Sequence, residues 1–141
     1  MSPDVWLKLK LCLRPGSVFY FQHRDLSSGE PHYFVVMNRE PLRTGLLLMT
    51  VATSKVESAR HRRRLIPGTV IEISPAEYGE FSVLSAFDCN ELFERSIQEL
   101  AELMSRGQVR YHADLPSALF EKLKTAVLLS PIVEDELKES L

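Results

Sequence analysis

Between Gly16 and Phe87 the chain sets short runs of β-branched and aromatic residues between breaks made by Pro and Gly. The runs are Gly16 to Gln22, His32 to Asn38, Leu46 to Ala52, Thr69 to Ile73 and Phe81 to Phe87, the last left open to continue toward Phe93. Pro15-Gly16, Ser27-Ser28-Gly29, Pro41 with Gly45, and Pro67-Gly68 supply the breaks. Short strands at this spacing predict a small barrel and argue against a parallel α/β sheet, whose strands need long helical crossovers. Tyr33-Phe34-Val35-Val36-Met37 shows no polar alternation, which suggests burial on both faces, although periodicity alone leaves a short buried helix open.

The character changes after about residue 93. Ser96 and Glu99 have the spacing of a capping box, in which each side chain satisfies an orphan backbone donor at a helix start. Ile97, Leu100, Ala101 and Met104 then share one helical face, and Gly107 supplies a stop. A second helix carries the stripe Leu119, Phe120, Leu123, Ala126 and Val127, with Asp114 or Ser117 as its cap and Ser130-Pro131 as its end. The acidic tail from Glu134 to Leu141 predicts a short or frayed helix. The expected organisation is one domain over 1–141, mainly β with C-terminal helices: a barrel over 13–93 and a helical part over 94–141. The first ninety residues are read as strands and turns, and the segment Thr53 to Leu65 as a polar, basic loop.

Charge and cysteine usage narrow the function classes. A net charge of −2 gives no whole-protein field to draw nucleic acid or an anionic membrane, so any such surface must be local. Two cysteines, Cys12 and Cys89, are too few for a disulfide scaffold or a thiolate zinc site, and a reducing cytoplasm is the expected home. The opening Met1-Ser2-Pro3-Asp4-Val5-Trp6-Leu7-Lys8 lacks the basic flank and apolar run of a signal peptide. The run from Leu46 to Ala52 falls well short of the roughly twenty residues a membrane helix needs.

Motifs for metals and nucleotides are missing. His23, His32, His61 and His112 show no ligand spacing, the glycines form no phosphate cradle, and no cofactor is expected. What remains is a constellation near strand ends. His32 opens a strand after a Gly-Glu-Pro loop, and an imidazole there is able to exchange protons near neutral pH; a strand-end histidine with no task is the plainer alternative. Thr53 and Ser54 close a strand and offer hydroxyl donors to phosphate oxygens, or they simply start a turn. Lys55 and the cluster Arg60, Arg62, Arg63 and Arg64 suit phosphates, and suit equally a solvated loop or a dock for an acidic partner. Asp88 and Asn90 either orient a substrate or cap a turn, and Cys89 between them reads as a small buried residue.

Taken in order, these segments resemble the MazF/PemK family of toxins from bacterial toxin–antitoxin pairs. Pro15-Gly16-Ser17-Val18-Phe19-Tyr20 looks like that family's Gly-led first strand, and Gly29-Glu30 followed by Tyr33-Phe34-Val35-Val36 resembles its Gly-x-Glu loop and apolar strand. Leu47 to Lys55, ending Thr53-Ser54-Lys55, is similar to its hydrophobic strand closed by Thr-Ser. Ser85-Ala86-Phe87-Asp88-Cys89-Asn90 is similar to its Cys-containing late strand, and the Gly107 to Leu119 stretch resembles its link into the last helix. The likeness spans Leu13 to Leu129. It implies an SH3-like β-barrel with appended helices, a homodimer, and metal-independent cleavage of single-stranded RNA blocked by an antitoxin peptide or protein.

The family's working threonine maps onto Thr53. Its arginine before the second apolar strand falls at His32, and its Arg-Cys-Asp is here Asp88-Cys89-Asn90. Both departures alter the charge offered to RNA. The reading that follows is a toxin-like endoribonuclease, with His32 and Thr53 as catalytic residues. Ser54, Lys55, the four arginines, Asp88 and Asn90 are its substrate-binding candidates. The alternative is a catalytically inactive barrel that binds a peptide or RNA.

Overall fold

A computed structural model describes residues 3–26 and 29–141; Ser27 and Ser28 of the expected loop, and Met1-Ser2 of the opening segment, lie outside them. The chain begins with helix α1 (Pro3–Cys12), then strands β1 (Val18–Phe21) and β2 (His32–Val36), a single turn α2 (Pro41–Thr44), and strand β3 (Leu46–Thr53). Helix α3 (Val56–Arg62), strands β4 (Val70–Ile73), β5 (Ser85–Asp88) and β6 (Phe93–Ser96), and helix α4 (Ile97–Ser105) follow. Strand β7 (Arg110–His112), helix α5 (Ser117–Leu129) and the short α6 (Asp135–Glu139) complete it.

All strand pairs are antiparallel, in the order β4-β5-β3-β2-β1-β7, with β6 pairing β3. The expected barrel is therefore an open sheet of this class, because its outer strands β4 and β7 do not pair with each other. β3 is the hub. Its first four residues pair with β6 and its last two with β5, while its other edge holds β2. The strand expected over Phe81 to Phe87, with continuation to Phe93 left open, is β5 starting only at Ser85, and a separate strand β6 starts at Phe93; the two take successive parts of one β3 edge.

Burial on both faces of β2 is what the sheet does with the unbroken apolar run. Val35 and Met37 point into one core with Val18, Phe87, Leu123 and Val127. Phe34 and Val36 point into the other with Phe19, Met49, Leu9 and Leu100. Strand alternation sends neighbours to opposite faces, so a run apolar at every position serves two cores. α5 and α6 cover the first face, and α1 and α4 the second.

After residue 93 the capped first helix is present as expected, but the part read as helical also holds most of β6 and all of β7, and neither Asp114 nor Ser117 caps α5. Ser96 Oγ accepts from Glu99 N–H at 3.0 Å, and the Glu99 carboxylate reaches back to Ser96 N–H, so both arms of the capping box are present. Arg95 leads in holding the Glu99 carboxyl down to about 2, by a hydrogen bond of 2.7 Å. Gly107 takes φ 70°, a left-handed turn that costs a glycine nothing sterically, just beyond the end of α4. α5 starts after Pro116, and Asp114 is engaged elsewhere, with Arg14 and the Tyr111 hydroxyl. The tail helix α6 is anchored: Lys138 Nζ donates to the Ser130 carbonyl at 2.6 Å and Leu141 is buried.

Three helices stand where strands and turns were expected. α1 hides its stripe, because Val5, Trp6 and Leu9 pack inward while Leu7 and Leu11 remain exposed and blur the period. α3 occupies the basic loop. Val56 and Ala59, three residues apart, bury against Ala86 and leave Glu57, Arg60 and His61 exposed. α2 is one turn between Pro41 and Gly45. No helix among the described residues is long and apolar enough to cross a membrane.

His23, which carries no motif, is a core histidine. Its Nε2–H donates to the Glu94 carbonyl at 3.1 Å and its Nδ1 accepts from Asp25 N–H at 3.0 Å, among Phe21, Phe34 and Phe93. Burial drives its pKa below the ordinary 6.5.

Candidate functional site

The register of three adjacent strands builds the site. β2 and β3 pair Phe34 with Val51, and carrying that register on by two residues sets His32 across from Thr53. Residues that share a face repeat every second position, so His32, Phe34, Val51 and Thr53 lie on one side of the sheet. On the other edge of β3, Ala52 pairs with Phe87 and Thr53 with Ala86, which brings Asp88 alongside Val51. α3 then crosses this end of the sheet, seated on Ala86 through Val56 and Ala59.

A cleft of about 340 Å³ opens between these parts. His32, Thr53, Ser54, Lys55, Arg62 and Asp88 all line it, from four separate elements and a turn. Thr53 Oγ1 accepts from Lys55 N–H at 3.1 Å, so its hydroxyl shapes the turn into α3 and still has a proton to donate. Ser54 and Lys55 are exposed at the mouth.

The four arginines divide sharply. Arg62 reaches the cleft with half its side chain exposed, and its Nη2 donates to Asp88 Oδ2 at 3.2 Å. Arg63 lies deeper, with Nε 2.9 Å from the same oxygen and Nη2 3.3 Å from Glu91 Oε1. Arg60 turns to the outer side, clamped between Glu57 and Glu72. Arg64 folds back on the His61 carbonyl at 2.8 Å. The basic run is therefore one cleft-facing cation, one half-buried counter-ion and two outward groups.

Asp88 is ionised and fully engaged. Burial alone would push its carboxyl up, but hydrogen bonds from the Asn90 amide and from Arg63, with the Asn90 N–H and the charge of Arg63, outweigh that and hold it below the ordinary value. Its Oδ1 accepts from Asn90 Nδ2 at 2.8 Å and Asn90 N–H at 3.2 Å. Asn90 itself is buried, and its side chain also meets Thr69 Oγ1 and Ser130 Oγ, away from the cleft lining. Cys89 is buried beside Asp88, and burial first, then that negative charge, push its thiol up to about 12, which leaves it unreactive at neutral pH.

Sequence reading did not single out Glu91 or Ser58 as site residues, and Glu30 only as part of a loop. The three line the same cleft, so carboxylates and cations face it together. A loop glutamate carries no local signal of this kind; its place depends on which strand ends converge.

No protein-family model and no curated protein sequence matches the chain. Solved structures do. A MazE–MazF complex from Deinococcus radiodurans superposes with a TM-score of 0.54 at 14% identity, covering 82% of this chain and 92% of that one. The chain has the MazF fold. An endoribonuclease from a mycobacterial species, solved with its cognate antitoxin, gives a TM-score of 0.53 at 10% identity over 85% of this chain and 96% of that one. The chain covers more than nine-tenths of each of these two neighbours.

Proposed function

We propose that the chain is a metal-independent endoribonuclease that cleaves single-stranded RNA, acting as a homodimer in the cytoplasm. In this reading it is the growth-inhibiting member of a toxin–antitoxin pair. The observation that carries the reading is the cleft that His32, Thr53 and Arg62 line together. The neighbours' own complexes, MazE with MazF and an endoribonuclease with its cognate antitoxin, support a proteinaceous antitoxin as partner.

Cleavage by this route has the RNA 2′-hydroxyl attack the adjacent phosphorus while the bond to the 5′-oxygen breaks, leaving a 2′,3′-cyclic phosphate and a free 5′-hydroxyl. One proton leaves the nucleophile and one must reach the departing oxygen. His32 is the cleft's proton-exchanging group, able as imidazole to take the first or as imidazolium to supply the second. Thr53 and Ser54 donate hydroxyl hydrogen bonds to the phosphoryl oxygens, and Arg62 and Lys55 balance the charge that builds on them. Asp88 does not repel the phosphate outright, since two guanidinium groups already cover its oxygen.

A second reading, a binding module without turnover, is favoured by one specific feature. The carboxylate beside the cleft is saturated with hydrogen bonds, and Glu30 and Glu91 add negative charge to the lining. Incubating a long, weakly structured RNA in EDTA with the wild type, His32→Ala and Thr53→Ala separates the two. Discrete cuts by the wild type that vanish in both variants support the ribonuclease. A folded wild type that makes no cuts supports the module.

A further inference from the structure

Behind the exposed, cleft-lining Arg62 runs a chain of buried polar groups that the proposed chemistry does not itself use. It passes from Asp88, which meets Arg62, to Asn90 and ends at Ser130 beyond α5. Asp88, Asn90 and Ser130 are 5%, 4% and 1% exposed. Ser130 Oγ donates to Asn90 Oδ1 at 2.6 Å and accepts from the N–H groups of Ile132 and Val133 at 3.1 and 3.2 Å. Asn90 Nδ2 divides itself between Thr69 Oγ1 at 2.9 Å and Asp88 Oδ1 at 2.8 Å. Every bond in the chain therefore orients the next, and the last free direction is the Oδ2 edge of Asp88, which faces Arg62 and Arg63.

Neutralising a buried carboxylate takes one good guanidinium, and Arg63, 16% exposed with Nε at 2.9 Å, already provides it. Arg62 is different. It is 51% exposed, it sits on the same oxygen at 3.2 Å, and its other N–H groups are left for the cleft. An exposed arginine otherwise samples many rotamers, and ordering one of its bonds aims the rest of its planar fork.

We propose that Asp88, backed by Asn90 and Ser130, is a positioning residue that fixes the Arg62 guanidinium in the cleft, where it binds an RNA phosphate. The proposal rests on the ribonuclease reading for its substrate. It makes the carboxylate useful without contact with RNA, and it ties the cleft to the segment that follows α5.

The test combines Asp88→Asn, Arg62→Ala and their double variant with a 2′-O-methyl oligoribonucleotide that cannot be cleaved. Arg62→Ala is expected to weaken its binding and to lower the slope of log affinity against log salt by about one, the signature of one lost phosphate contact. Asp88→Asn removes a negative charge, so affinity holds or rises, yet kcat on cleavable RNA falls by about tenfold or more because the guanidinium is no longer aimed. The double variant should lose no more kcat than Arg62→Ala alone, since both act through one group. Side-chain NMR of Arg62 should broaden or shift in Asp88→Asn, and to a smaller degree in Asn90→Ala, which keeps the carboxylate and guards against a misfolded first variant.

An Arg62 signal unchanged by both substitutions overturns the proposal. So does an Arg62→Ala salt slope equal to that of the wild type, or an additive double variant. A wild type that binds the oligonucleotide with the expected slope and NMR response but cuts no RNA overturns only the ribonuclease reading.

Discussion

The cleft at the His32 end of β2 and the groove between α1, α2 and α4 are both large enough for a small ligand, yet they are built on opposite terms. The groove is the roomier, about 700 Å³, and Trp6, Leu42, Gly45 and Ile97 give it a mostly apolar wall with Lys10 as its charged member. The cleft is about half that size and gathers a histidine, hydroxyls, a lysine, an arginine and carboxylates from strands and a helix far apart in sequence. Size and apolarity favour binding, whereas chemistry needs proton donors and acceptors that converge on one point. The difference teaches that on the proposed reading the groups able to exchange protons and hold a phosphate gather in the smaller concavity, where His32 and Thr53 line one wall together.

That contrast breaks most readily at His32. His32→Ala is expected to lower RNA cleavage by about a hundredfold or more, the scale of general acid–base catalysis, with an unchanged unfolding midpoint. Near-native cleavage by this variant would erase the functional distinction between the two concavities. Next in size is a change to the core that supports the groove. Leu100 is fully buried in α4, and Leu100→Ala should cost about 2–5 kcal/mol in urea denaturation. A loss of only about 1 kcal/mol or less would mean that α4 is not rigidly seated.

The cap that starts α4 gives a smaller effect. Ser96→Ala removes the hydroxyl that accepts Glu99 N–H and should lower stability by about 1 kcal/mol, measurable by the same denaturation curves. Smaller still is the direct control on the groove. Leu42→Ser changes an exposed apolar wall residue and is expected to leave RNA cleavage within about twofold, as surface substitutions outside a site do. A large loss there would assign the groove a part in catalysis.

One pH effect belongs to the aromatic core around His23. His23 has a folded pKa below 6.5, so in the interval beneath 6.5 the unfolded chain binds a proton that the native chain does not. Stability is therefore complete above pH 6.5 and declines as pH falls through and below it. Urea midpoints measured on either side of pH 6.5 should show this decline, and His23→Gln should reduce it. A midpoint insensitive to pH across that interval would mean that His23 is not held neutral by burial.

How much of this was legible in the chain depends on whether the cause is local. The capping box at Ser96 and Glu99, the left-handed stop at Gly107 and the two-faced strand at Tyr33 to Met37 all follow from neighbours a few residues apart. α3 was hidden because its buried face is only Val56 and Ala59, and the arginines around them look like a solvated loop until Ala86 is present beneath. α1 was hidden because exposed Leu7 and Leu11 mask its inward stripe. The resemblance to toxin folds survived these omissions because the order of the β-forming runs carries it.

The candidate site divides along the same line. Residue types alone singled out His32, Thr53 and the arginines as able to handle a phosphate, since proton exchange, hydroxyl donation and fixed charge are properties of the side chains themselves. Which arginine faces the cleft was decided by helix phase and by a partner 26 residues away, Asp88, to which Arg62 and Arg63 turn while Arg60 goes to Glu72. The sequence by itself determined the main strand runs, the cap of α4 and the chemical repertoire, because those arise from short-range sterics and intrinsic side-chain chemistry. Only the tertiary structure decided that His32 and Thr53 line one cleft and that Asp88 is held between Arg62 and Asn90, because strand register and burial are set by the packing of the whole sheet.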